Sequence, residues 1–155
     1  MMDLRQEMLA IVRALDAKGI PYALCGGLAM AAHGFPRATQ DVDLLVPEQR
    51  MDDARAALRP LGYRRETGWL DFASGRVRMF RIVKLDADAG DFLAVDLLAA
   101  SGDLAGVWED RRQWQTRDGL LWVVSREGLI AMKRARSSKQ DMADIEKLEG
   151  ASDES

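Results

Sequence analysis

Two aspartates two residues apart on an apolar strand constrain this chain more than any other feature. Residues 26–47 read GGLAMAAHGFPRATQDVDLLVP. Side chains two apart on a strand share a face, so Asp41 and Asp43 project together while Val42, Leu44 and Val46 point the other way, into a core. Carboxylates held close on one face repel each other unless a cation lies between them. Hard divalent ions such as Mg²⁺ take such oxygen ligands and keep places for water and phosphate oxygens. Taken alone, an Asp-x-Asp is more often a solvated strand end; its surroundings decide the matter. Gly26 and Gly27 allow a sharp turn and the close approach of another group. Helical composition over 28–33 puts a helix N-terminus just after them, with free N–H groups suited to phosphate oxygens. A tight strand-to-helix turn explains the same glycines without a ligand, and the two readings are compatible. The G-x-x-x-x-G-K-[ST] phosphate loop is absent.

A third aspartate stands inside another apolar strand. Residues 92–98 read FLAVDLL, and a buried, unpaired carboxylate is costly, so Asp96 requires a partner or a cation.

Elsewhere the pattern alternates helices and strands. Leu4, Met8, Ile11, Val12 and Leu15 recur at helical spacing and predict a helix over 3–18, stopped by Lys18-Gly19 and Pro21. A short buried strand follows at 22–25, then the helix at 28–33. The single histidine, His33, reads as a packed or half-exposed helix end. A helix from Glu48 to about Pro60 buries Met51, Ala54 and Leu58, and Gly62 closes it. Strands are expected at 63–65, 69–72 and 76–85. Arg76, Arg78 and Arg81 form a solvated face or line a nucleotide or polynucleotide groove. Residues 86–91 are an acidic turn. A helix is expected over 103–112, then strands 113–116 and 120–124 around the Asp118-Gly119 turn. Ser125 caps a helix that buries Leu129, Ile130 and Met132 and displays Lys133, Arg134 and Arg136. A last helix, 139–149, buries Met142, Ile145 and Leu148.

The 155 residues suit one domain, 1–149, followed by a polar, disordered tail at 150–155. A net charge of −3 leaves no global nucleic-acid footprint. One cysteine, Cys25, excludes an intramolecular disulfide framework and fits a reducing cytoplasm. No run approaches the ~18 apolar residues of a membrane span, and no signal peptide is expected.

The combination resembles the nucleotidyltransferase superfamily, whose DNA polymerase beta-like fold joins Gly-Gly or Gly-Ser to an Asp-x-Asp and a later carboxylate. The finer pattern G-G-x-A…R-x-T-x-D-h-D is similar to the AbiEii-type toxin and minimal nucleotidyltransferase branch. Gly26, Gly27, Ala29, Arg37, Thr39, Asp41 and Asp43 match it. The segment L-I-A-M-K and the later Asp141 and Asp144 resemble the family's closing pattern, with Gln140 intruding. The resemblance implies an α+β fold, a mixed and mostly antiparallel sheet flanked by helices, with Asp41, Asp43 and Asp96 gathered at one edge. It implies transfer of a nucleoside monophosphate from an NTP to a hydroxyl, with pyrophosphate released. Asp41, Asp43 and Asp96 are then catalytic and hold two Mg²⁺ (or Mn²⁺) ions about 3.5–4 Å apart. Gly26, Gly27, Arg37, Thr39 and Lys133 are the nucleotide-binding set, and Asp141 and Asp144 stabilise the last helix. The toxin branch implies tRNA or a protein as acceptor and an antitoxin partner; a homodimer is another way to complete the site. Two alternatives stand beside it: an aminoglycoside- or lincosamide-type antibiotic adenylyltransferase, and an inactive nucleotide- or partner-binding module.

Overall fold

The computed structural model describes residues 2–36, 39–72 and 75–151. Helix α1 (Leu4–Ala17) starts at Asp3, whose carboxylate accepts the Gln6 amide, and buries Met8, Ile11, Val12 and Leu15. Removing a Leu- or Ile-sized side chain from water contributes roughly 1.5–3 kcal/mol, so this stripe fixes α1 on the sheet. Strand β1 (Ala23–Cys25) leads into α2 (Gly26–Ala32), and β2 (Asp41–Val46) follows. Gly26 and Gly27 thus form the first turn of α2 rather than preceding it. A 3₁₀ turn and α3 (Met51–Leu58) bury Met51, Ala54 and Leu58, and Gly62 ends the segment in the left-handed region at φ 102°.

Three long strands come next: β3 (Arg65–Phe72), β4 (Val77–Asp86) and β5 (Asp91–Ala99). The two short strands expected over 63–72 are one strand. Gly68, at φ +80°, lies at a register shift between Glu66 and Trp69, where the strand bulges rather than ends. The expected helix at 103–112 is shorter, a 3₁₀ turn and α4 (Ala105–Glu109). It stops because the Asp110 carboxylate accepts a hydrogen bond from Ser125 Oγ at 2.7 Å and Arg112 already pairs with Val123 in a sheet. Strands β6 (Arg112–Thr116) and β7 (Gly119–Val123) make the expected hairpin, followed by α5 (Arg126–Arg136) and α6 (Lys139–Ala151). Residues 152–155 of the expected tail lie outside the described residues.

The seven strands form one sheet in the order β3-β4-β5-β2-β1-β7-β6. The β2–β5 and β1–β7 pairs are parallel and the other neighbours antiparallel. This is the α+β, mostly antiparallel mixed sheet with flanking helices that the pattern implied. Its centre is apolar on both faces: Val42, Leu44, Leu45 and Val46 of β2 are all fully buried. Among the described residues no helix is long and apolar enough to cross a membrane.

Two expectations about the last helices fail for one reason. Lys133 is buried rather than displayed, and Met142 is 51% exposed rather than buried. The inner stripe of α6 is Asp141, Asp144, Ile145 and Leu148, at the three- and four-residue spacing of one helical face. Its two acids receive Lys133 and Arg136 of α5, and Met142 falls off that stripe.

Candidate active site

Asp41 and Asp43 lie on β2 and Asp96 on β5. The parallel register sets Asp43 directly opposite Asp96 and Asp41 opposite Ala94. The three acids occupy central strands, not a sheet edge, because β4 and β1 flank this pair. Burial, reinforced by the charge of Asp96, raises the Asp41 carboxyl above its ordinary range, against the pull of Arg81. Asp43 is pushed up to about 7, first by burial, then by the charge of Asp96, a hydrogen bond with it, and the charge of Asp41. Asp43 thus keeps its proton to a higher pH than a separate carboxyl, which releases it near pH 4.

Asp96 is 5% exposed, and its expected partner is Arg81. Arg81 Nε donates to Oδ1 at 2.7 Å and Nη2 to Oδ2 at 3.0 Å, a two-pronged ion pair across β4 and β5. The buried acid is therefore compensated within the protein, so its burial alone does not demand a metal. The sequence carried a signal for this partner. Asp86 pairs with Asp91 across the acidic turn, and that register sets Arg81 opposite Asp96. The other two arginines pair elsewhere: Arg78 of β4 with Glu48 and Asp71, its guanidinium stacked on Trp69, and Arg76, just before β4, with Asp103.

Both glycines are explained by close approach. Gly26 has φ +64°, and a Cβ there would lie 1.9 Å from Asp43 Oδ2. A Cβ on Gly27 would lie 2.9 Å from Thr39 Cβ and Oγ1. Thr39 Oγ1 in turn accepts the Asp41 amide at 3.4 Å. Thr39 therefore braces the start of β2 against α2, and the glycines let α2 begin against the carboxylates. No side chain caps α2 at Cys25. Arg37 lies outside the described residues. His33 is packed as expected: its Nε2 lies 3.0 Å from the Val124 carbonyl and its ring meets Trp114 edge-on.

Helix α5 forms the opposite wall. The Lys133 ammonium contacts Asp144 Oδ2 at 2.9 Å and Asp141 Oδ1 at 3.8 Å. Arg136 grips Asp141 through two bonds of 2.7 and 3.2 Å, and Ser138 caps α6 on the same carboxylate. Burial alone would raise Asp141, but the bonds from Arg136 and Ser138 outweigh it and hold the carboxyl down at about 2. Asp141 and Asp144 thus act as helix-to-helix contacts.

Between sheet and α5 runs a cleft of about 500 Å³ that contains Asp43, Asp96, Arg81 and Lys133. Val77, Met79 and Leu98 form its apolar floor, with Leu129 and Met132 on the α5 side. That volume suits one small ligand.

The donor set fits a hard divalent cation. Facing carboxylates, one of them raised by burial and then by the charge of the other, are relieved by a shared positive charge. As the side chains stand, no three His, Cys, Asp or Glu among the described residues are grouped to hold a metal ion, and Arg81 takes both Asp96 oxygens.

A family model described as "Uncharacterised nucleotidyltransferase" matches residues 2–121. No curated protein sequence matches the chain. Among solved structures, the antibiotic-resistance factor ANT(2'')-Ia is similar with a TM-score of 0.64 at 18% identity, over 95% of this chain and 84% of that one. The lincomycin-bound lincosamide antibiotic adenylyltransferase LnuA gives 0.61 at 14% identity, over 93% and 95%. An antigenic nucleotidyltransferase-like protein from Paracoccidioides brasiliensis gives 0.53 at 20%, over 92% and 74%. At these identities the likeness is one of fold.

Proposed function

The chain belongs to this nucleotidyltransferase family, and we propose that it moves a nucleoside monophosphate from an NTP to a hydroxyl of a small-molecule acceptor. The observation that carries this reading is the cleft of about 500 Å³, apolar on its floor and on its α5 side, with Asp43 and Asp96 inside it. The structural likeness to LnuA with lincomycin and to ANT(2'')-Ia, also seen with adenylyl-2''-tobramycin, supports it.

Asp41, Asp43 and Asp96 are the residues that would hold Mg²⁺ or Mn²⁺. When bound, the ion neutralises phosphate charge and lowers the pKa of a coordinated hydroxyl. The protein's own groups do the rest. Gly26 and Gly27 bring the backbone of α2 up against Asp43 and Thr39, which sets it beside the acid that would meet the phosphates. Lys133 and Arg136 border the cleft on its α5 wall, each tied to an acid of α6, and Arg37 belongs to the nucleotide side by its place in the motif. The acceptor hydroxyl oxygen bonds to the α-phosphorus as the bond to the β-phosphate oxygen breaks; pyrophosphate leaves, and Asp96 takes the hydroxyl proton. Such catalysis is mainly positioning and charge neutralisation.

The toxin-type reading, with tRNA or a protein as acceptor and an antitoxin or second copy as partner, rests on the motif resemblance, and the basic segment around Arg134 is what would suit RNA. In the fold that segment is largely neutralised: Arg134 pairs with Glu149 and Arg136 with Asp141. The deciding experiment incubates purified protein with Mg²⁺ and each radiolabelled NTP in the presence of lincomycin, tobramycin or total tRNA. We expect label on a small acceptor. Asp43→Asn should lower it at least ~100-fold with an unchanged circular dichroism spectrum. Label on tRNA would overturn the acceptor assignment, and no NTP binding at all would make the chain an inactive module.

A further inference from the structure

We infer that Arg81 is the built-in counter-ion of the acidic site, and that a divalent cation gains Asp96 only by displacing it. The inference rests on reading Asp41, Asp43 and Asp96 as cation ligands, and goes beyond it by naming what that cation must compete with. Arg81 faces Asp96 in register on the neighbouring strand and binds both carboxylate oxygens at 2.7 and 3.0 Å. The side chain of Asp96 is 7% exposed, so it has no second source of compensation in water; that of Arg81 is 41% exposed. The guanidinium can therefore withdraw without leaving a buried charge behind on its own account, whereas the carboxylate cannot lose its partner without replacement. Asp41 and Asp43 add their charge to the attraction that holds the guanidinium in place. The other two cations of the cleft, Lys133 and Arg136, are engaged by Asp144 and Asp141 on α6. Arg81 alone among these three is bound to an acid of the site itself.

The exchange has a direction. A divalent ion arriving alone must break a two-pronged ion pair and leave the guanidinium with water alone in place of Asp96. An ion arriving with a triphosphate brings anionic oxygens that give the displaced guanidinium a new partner. Metal and nucleotide then bind with positive coupling, and Arg81 is a positioning residue that keeps the site closed to free metal.

Calorimetric titration with Mg²⁺ alone and Mn²⁺ alone, without nucleotide, tests this directly. Arg81→Met should bind either ion at least ~10-fold more tightly than wild type, and Asp43→Asn in the same background should abolish the gain. In wild type, a non-hydrolysable NTP analogue should tighten Mn²⁺ binding by a similar factor; in Arg81→Met that coupling should largely vanish. Should Arg81→Met fail to fold in metal-free buffer, Arg81→Gln, which keeps a neutral donor on Asp96, carries the same comparison. Equal ion affinities in variant and wild type would overturn the role of Arg81 while leaving the acidic site as a cation site. No binding of either ion by any of these proteins, with or without nucleotide, would overturn both.

Discussion

At the scale of single residues, the site is defined by how close a backbone may come to a carboxylate. Gly26 combines a left-handed φ with a Cβ position 1.9 Å from Asp43 Oδ2, whereas Gly34, at φ +95°, has nothing within 4 Å of its Cβ position. The two positions separate backbone strain from displacement of the acid. Gly26→Ala should cost roughly 1–2 kcal/mol in strain, push Asp43 aside, and reduce nucleotide transfer at least ~100-fold. Gly34→Ala should show a comparable strain cost in urea unfolding yet keep transfer within a few-fold of wild type; similar activity losses in both would remove Asp43 from the explanation. Asp41, Asp43 and Asp96 were all legible, because a charged residue on an apolar strand stands out against its neighbours. Arg81 was not picked out, because the arginines at 76, 78 and 81 look alike in sequence and only the hairpin register tells which one meets Asp96. Lys133 was misjudged as displayed: a helical lysine reads as solvated until the acids of a later helix are known to cover it.

Among the elements, α5 and α6 are fastened by charge more than by apolar contact. Asp141 receives Arg136 and Ser138, and Asp144 receives Lys133. The sign of the pH effect follows from the depressed carboxyl. Asp141 titrates at about 2 in the folded chain and near its ordinary value when unfolded. Its contribution, about 2 kcal/mol, is complete above pH ~4 and lost as pH falls toward 2. Asp141→Asn should be destabilised by about 2–4 kcal/mol at neutral pH, and its gap to wild type should narrow across that acid window; urea unfolding at several pH values measures it. A gap independent of pH would show that the pairing contributes through packing alone. Element order was legible nearly throughout, from helical spacing in α1 and α5, the Asp118-Gly119 turn and the capping serine at 125. The merged strand β3 and the shortened α4 were not. A glycine in a strand marks a bulge or a turn equally well, and a helix end set by a distant partner, here Asp110 on Ser125, leaves no local trace.

For the whole molecule, the sheet order sets early and late parts of the chain side by side. β1 lies between β2 and β7, touching β7 through the Leu24–Val123 register. Tyr22 Oη accepts the Trp122 amide across 100 residues, and His33 meets the Val124 carbonyl across 91. The acids themselves are brought together by β2, β4 and β5, all complete by Ala99, but the α5 wall of the cleft follows that late closure. Bringing distant segments together loses chain entropy before contacts return it. Refolding should therefore proceed in two stages, the β4–β5 hairpin gaining protection first and β7 with α5 later, on the millisecond-to-second scale of non-local topologies. Pulse-labelled hydrogen exchange resolves the order, and simultaneous protection of β5 and β7 amides would contradict it. During synthesis the same topology keeps the acids from meeting a finished cleft until α5 has left the ribosome.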